Sequence, residues 1–140
     1  MLTGEFSHSI DAKNRIFMPA KLREELGETF IIARDIRVKC LKVYSLEGWE
    51  AYIAPIKQQR RELVEQVMRL LHSTAAQVTP DAQGRVLLPA GLVEYAEIEK
   101  NAVVVGCSDY AEIWSEHNYH DMMQNADFEA LRQALEECGL

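Results

Sequence analysis

The chain has 140 residues, 48% of them hydrophobic and 26% charged, and its 15 Lys and Arg against 22 Asp and Glu give a formal net charge of −7. That composition suits a folded globular protein and excludes disordered and collagen-like chains. The acidity argues at first sight against a polyanionic partner, because affinity for nucleic acid comes largely from cations that neutralise phosphates. No apolar run reaches the ~20 residues of a membrane span, and the N-terminus lacks the basic start and apolar stretch of a signal peptide. A cytoplasmic location is therefore expected. Cys40, Cys107 and Cys138 are odd in number and far apart, so they read as free thiols and not as a disulfide framework or zinc knuckle.

In chain order, Phe6 to Ile10 alternates and ends at Asp11, which predicts a short strand entering a turn. Asp11 can bond backbone two residues on, and Asn14 can supply the positive φ that closes a three-residue hairpin loop with a bulge, so that Ile16-Phe17-Met18 forms the returning strand. Pro19 suits a first helical turn and predicts a helix to about Leu26. Thr29 to Ala33 and Leu41 to Ser45 read as two further strands, followed by a short helix from Leu46 to Tyr52. Pro55 then begins a longer helix in which Leu63, Val64, Val67, Met68 and Leu71 share one stripe. The pattern recurs with a strand over Gln77 to Thr79, a turn at Pro80-Asp81 with Gly84 in the place of Asn14, and a strand Val86-Leu87-Leu88. A helix from Pro89 to Ala96 and strands beginning at Asn101 and Ala111 follow. A last helix from about Asp127 to Glu137 carries Phe128, Leu131 and Leu135 on one side among acidic residues.

The recurrence is a duplication. Asp11-Ala-Lys-Asn-Arg15 and Asp81-Ala-Gln-Gly-Arg85 lie 70 positions apart, each followed by three apolar residues and Pro-Ala, and Leu22 matches Leu92. The expected architecture is α+β, with two tandem ββαββ repeats packed about a pseudo-two-fold axis. The expected limits are 1–54 for the first repeat, 55–73 for a connector helix, 74–124 for the second repeat and 125–140 for a C-terminal helix, in one compact domain. Four short strands and one small helix bury too little surface for either repeat to stand alone.

These residues bring a family into view. The two Asp-x-x-x-Arg segments, with Phe6-Ser-His-Ser-Ile-Asp11, Gly27-Glu-Thr-Phe30, Val105-Gly-Cys107 and Glu112-Ile-Trp-Ser115, resemble the twin motifs of the MraZ proteins over essentially the whole chain. The resemblance implies a bacterial transcription regulator of the AbrB-like swapped-hairpin fold that assembles into a ring, is nucleoid-associated, and binds repeated sites on double-stranded DNA upstream of the division and cell-wall gene cluster. It implies that the Asp-x-x-x-Arg turn touches DNA. Asn14 stands where that pattern usually has Gly, and Val93 stands where Arg is usual after the second motif.

The residues support a compatible reading. A turn that projects Lys13 and Arg15 offers two cations, and Arg can grip a phosphate or a guanine edge with a paired fork. A plain Asp11–Arg15 brace for the turn is the simpler alternative, worth about 0–1 kcal/mol when exposed. Charge favours the first copy. Residues 1–50 hold eight basic and eight acidic groups, residues 51–75 four and two, and residues 76–140 three and twelve. Lys13, Lys21 and Arg23 are replaced by Gln83, Gly91 and Val93 in the second copy. The DNA-contacting set is thus expected to be Asp11, Lys13, Asn14, Arg15, Lys21 and Arg23. Asp81 and Arg85 are expected to be mainly structural, and the acidic half is expected to point away from DNA.

Other chemistry is sparse. His117 and His120 beside Glu116 and Asp121 could place metal ligands on one helix face, but a solvated helix start explains them as well. Ser7-His8-Ser9 lacks a nucleophile elbow and reads as strand alternation. The run Lys57-Gln-Gln-Arg-Arg61 reads as a wet helix face. The expectation is a non-enzymatic protein with no cofactor, no bound metal, no small-molecule substrate and no membrane association. Its rival is an interaction scaffold of the same fold that recruits a partner through its acidic C-terminal half.

Overall fold

The computed structural model describes residues 1–140. The first repeat holds β1 (Glu5–Ser9), β2 (Arg15–Phe17), α1 (Ala20–Leu26), β3 (Phe30–Arg34) and β4 (Leu41–Ser45), followed by α2 (Leu46–Ile53). A 3-10 turn over Ala54–Gln58 leads to α3 (Arg61–Ser73). The second repeat holds β5 (Ala76–Val78), β6 (Arg85–Leu87), α4 (Ala90–Tyr95), β7 (Asn101–Gly106) and β8 (Ala111–Ser115), followed by α5 (Glu116–Gln124) and α6 (Phe128–Glu137). The α+β class and the ββαββ repeats are as expected. Equivalent helices even start alike, with Ser45 Oγ accepting from Gly48 N at 2.9 Å and Ser115 Oγ from Asn118 N at 3.0 Å.

The strands pair across the repeats. The six-stranded sheet has the order β1-β7-β8-β4-β3-β5 and a separate two-stranded ribbon joins β2 to β6, all antiparallel. Exchanging the repeats maps the order onto its own reverse, which is the pseudo-two-fold relation. The expected local hairpin is therefore corrected: β1 pairs with β7, Ser7 opposite Val103, and β2 pairs with β6, Ile16 opposite Val86. The turn still closes, through Asp11 N to Arg15 O at 3.0 Å, but its two strands enter different layers. A three-residue strand carries a single core residue, and Ile16 and Val86, opposite each other on the ribbon, are both fully buried in the main core.

The ribbon, α1 and α4 cover one face of the sheet. Between them lies the main core, in which Ile16, Met18, Leu22, Phe30, Ile32, Val86, Leu88, Leu92 and Val104 are fully or almost fully buried. The other face carries a smaller cluster of Ala33, Tyr44, Trp49, Ile53 and Leu71, supplied by the sheet, α2 and α3. There Trp49 Nε1 donates to His72 Nε2 at 3.0 Å. The expected continuous helix from Pro55 is interrupted at Gln59–Arg60, where Gln59 is extended with ψ 176°. This break turns α3 back so that Val67, Met68 and Leu71 reach the second cluster, while Leu63 and Leu70 stay exposed. No helix is long and apolar enough to cross a membrane.

Candidate nucleic-acid interface

Each Asp-x-x-x-Arg segment is a self-braced turn. Asp11 Oδ1 accepts from Lys13 N at 2.9 Å and Arg15 N at 2.8 Å, while Oδ2 accepts from Arg15 Nε at 2.7 Å. Asp81 repeats the set with Gln83 N, Arg85 N and Arg85 Nε, each at 2.9 Å. The residue before each Arg is left-handed, Asn14 at φ 60° and Gly84 at φ 82°, as the Asn-for-Gly match foretold. Backbone N–H donors and the guanidinium stabilise the ionised carboxylates, so Asp11 and Asp81 are held below the ordinary carboxylate range, the backbone bond from the Arg being the largest cause.

The ribbon brings the two turns together. Met18 N donates to Gly84 O at 2.9 Å and Leu88 N to Asn14 O at 2.8 Å, so each turn is hydrogen-bonded to the residue that follows the other repeat's strand. Arg85 Nη1 lies 4.0 Å from Asp11 Oδ2, giving Asp11 a second, cross-repeat cation. Arg15 uses Nε for its own Asp and leaves its terminal nitrogens without a protein partner. The brace and the display of a cation are therefore compatible, because the brace fixes Nε and aims the rest of the fork.

The remaining expected residues divide. Lys13 and Lys21 are exposed, and their side chains make no ion pair or hydrogen bond. Arg23 is half-buried, donates from Nε to Met18 O at 2.9 Å, and lies over the Phe17 ring at 5.9 Å. Its guanidinium crosses the second turn, where a Cβ on Gly84 would meet it at 3.0 Å. Sequence reasoning missed this bridge and the Asp11–Arg85 contact, since both depend on cross-repeat pairing.

The acidic half does not segregate from the first turn. Ile10 N donates to Lys100 O at 2.8 Å, which sets Asp11 next to the Glu97–Lys100 loop of the second repeat. That loop and the start of α5 line an open polar cleft of about 400 Å³ containing Glu97, Glu99, Glu116 and His117. The physical reason is the strand exchange itself, which interleaves the two halves within one sheet. His117 pairs with Asp121 at 3.1 Å on an exposed helix face, and His120 is exposed without joining it.

The family model described as "MraZ protein, putative antitoxin-like" matches the chain twice, over residues 1–70 and 71–138. The chain belongs to the MraZ family. A protein of Thermoanaerobacter sp. (strain X514) named transcriptional regulator MraZ is 38% identical over 144 residues, covering all of both chains. One of the same name from Carboxydothermus hydrogenoformans is 41% identical over 132 residues, covering 90% of this chain and 89% of its own. Another from Clostridium tetani is 35% identical over 143 residues, again covering both chains fully. The twofold match of the MraZ model coincides with the two braced turns, one in each matched segment.

Proposed function

We propose that this MraZ-family protein is a sequence-specific DNA-binding transcription regulator, and that it binds repeated sites upstream of its own gene in the division and cell-wall gene cluster as a ring-shaped oligomer. The observation that carries the reading is the pair of identically braced Asp–Arg turns held side by side on one ribbon, with Lys13 exposed and unpaired at the first. Arg15 and Lys13 are the principal contacts, Asp11 and Asn14 shape the turn that presents them, and Lys21 adds a peripheral cation. Arg23, Asp81 and Arg85 hold the ribbon. The boundaries 1–54, 55–73, 74–124 and 125–140 serve this reading as two motif-bearing repeats and two helical appendages.

A single turn is a weak reader, and several turns meeting evenly spaced DNA repeats gain effective concentration without new contacts. A ring arises when a head-to-tail interface repeats and its rotation closes. The exposed apolar residues of α6, Phe128 at 64%, Leu131 at 52% and Leu135 at 53%, support self-association. They equally favour a second reading, a scaffold that recruits a protein partner through its acidic end. Footprinting on the upstream region decides between them. Protection that is lost in Arg15→Ala, with assembly retained, supports the regulator; no retardation of that DNA even at low salt supports the scaffold.

A further inference from the structure

The sheet face opposite the main core holds a polar cluster that the DNA-binding reading does not use. The β3–β4 loop contributes Asp35 and Cys40, both buried, and β8 contributes the half-buried Glu112. One donor atom of each lies within 4.8 Å of the other two. Asp35 Oδ1 is spent on Arg37 N at 2.7 Å, and Glu112 Oε1 accepts from Trp114 Nε1 at 3.0 Å. Each carboxylate is thus oriented through one oxygen; of the remaining two, Glu112 Oε2 faces Cys40 Sγ at 3.9 Å and Asp35 Oδ2 is shared with Lys42.

The charges do not close. Lys42 Nζ, 3.5 Å from Asp35 Oδ2, offsets one carboxylate and rests against the rings of Tyr110 and Tyr52. Glu112 has no cation within ion-pair distance. Two carboxylates and one ammonium leave one negative charge unpaired in the cluster. A divalent cation that displaces the Cys40 proton to solvent, breaking S–H and forming a metal–sulfur bond, brings carboxylates, thiolate, Lys42 and metal to zero.

We propose that Asp35, Cys40 and Glu112 form a binding site for a zinc-type divalent cation. A thiolate with two carboxylates suits a borderline-soft ion and discriminates against magnesium and calcium, which take all-oxygen shells. Side-chain rotation has to bring atoms already within 4.8 Å of one another to bonds of about 2.3 Å for sulfur and about 2.0–2.2 Å for oxygen. Water completes four ligands. Because Asp35 and Cys40 belong to the first repeat and Glu112 to the second, the ion staples the repeats on the face away from the ribbon.

Cobalt(II) serves as a spectroscopic probe on the reduced, chelator-stripped full-length protein. A thiolate-to-cobalt charge-transfer band saturating at one equivalent is expected, together with its displacement by zinc and a zinc-dependent rise in unfolding temperature. Cys40→Ser should abolish the band. Because Cys40 is fully buried, Glu112→Gln provides a second, near-isosteric test. It should unfold like the parent in chelator yet bind cobalt at least tenfold more weakly, since even outer-shell losses cost roughly 10–100-fold. Absence of the band from the parent protein overturns the site. A band of unchanged strength and affinity in Glu112→Gln belongs to other thiols and overturns it too. DNA binding by the metal-free protein leaves the proposal untouched, so the two readings fail separately.

Discussion

At the residue scale, Asp11 and Arg15 perform two tasks with one contact. Asp11 closes the turn through two backbone bonds and fixes Arg15 through Nε. Arg15→Ala removes the displayed cation and should abolish specific retention of the upstream DNA while gel filtration shows unchanged assembly. Arg85→Ala removes a brace and the cross-repeat contact to Asp11. It should weaken DNA retention less, and equal loss from both substitutions contradicts the division between them. Both Asp groups are held low by donors that the unfolded chain lacks, so their contribution to stability is complete above the ordinary carboxylate pKa of about 3.9 and is lost as pH falls through the lower native value. Thermal unfolding of the parent and of Asp11→Asn should accordingly differ at neutral pH and converge below about pH 4. The left-handed positions are also unequal. Asn14→Gly relieves a modest strain and should be nearly neutral. Gly84→Ala adds a Cβ at φ 82° and 3.0 Å from Arg23, and should cost about 1–2 kcal/mol in denaturant unfolding.

At the scale of elements, the order of strands and helices was legible because it rests on local signals: alternation, the Asp and Asn or Gly of the turns, and Pro19 and Pro89 ahead of their helices. Which strands pair was not, because the residue pattern of Arg15–Phe17 is satisfied equally by a hairpin partner in its own repeat and by Arg85–Leu87. Turn chemistry pointed to a local hairpin, and the partners that replace it lie in the other repeat. The helix expected from Pro55 failed for a related reason, since its stripe is real but the second cluster is reached only after the chain turns at Gln59–Arg60. The exchange makes neighbours of distant backbone, as at Gly106, where a Cβ would lie 2.4 Å from Thr3 N. Gly106→Ala should push the N-terminal arm off the sheet, break the Leu2–Ser108 bridge, and cost about 1–3 kcal/mol as overpacking. Denaturant unfolding together with amide exchange at Leu2 would check it.

At the scale of the whole molecule, net charge is a poor guide to the partner. The −7 total is unevenly distributed along the sequence, yet folding interleaves the repeats, so the acidic Glu97–Lys100 loop lies beside the first turn. On the proposed DNA-binding reading, long-range attraction is expected to be weak, so affinity should come from short-range contacts multiplied by valency. This combination has a measurable signature. On a duplex with one repeat, binding should be feeble, and the logarithm of affinity should fall with the logarithm of salt at a slope near the roughly −0.9 per phosphate expected of a few phosphate contacts. On a duplex with several evenly spaced repeats, affinity should rise far more than in proportion to their number, and the slope should steepen with each turn engaged. Inserting half a helical turn of DNA, about 5 base pairs, between repeats moves the second site to the far side of the duplex and should return binding to the single-repeat level. Affinity that is indifferent to repeat number and spacing would mean that the turns act independently and that no ring presents them together.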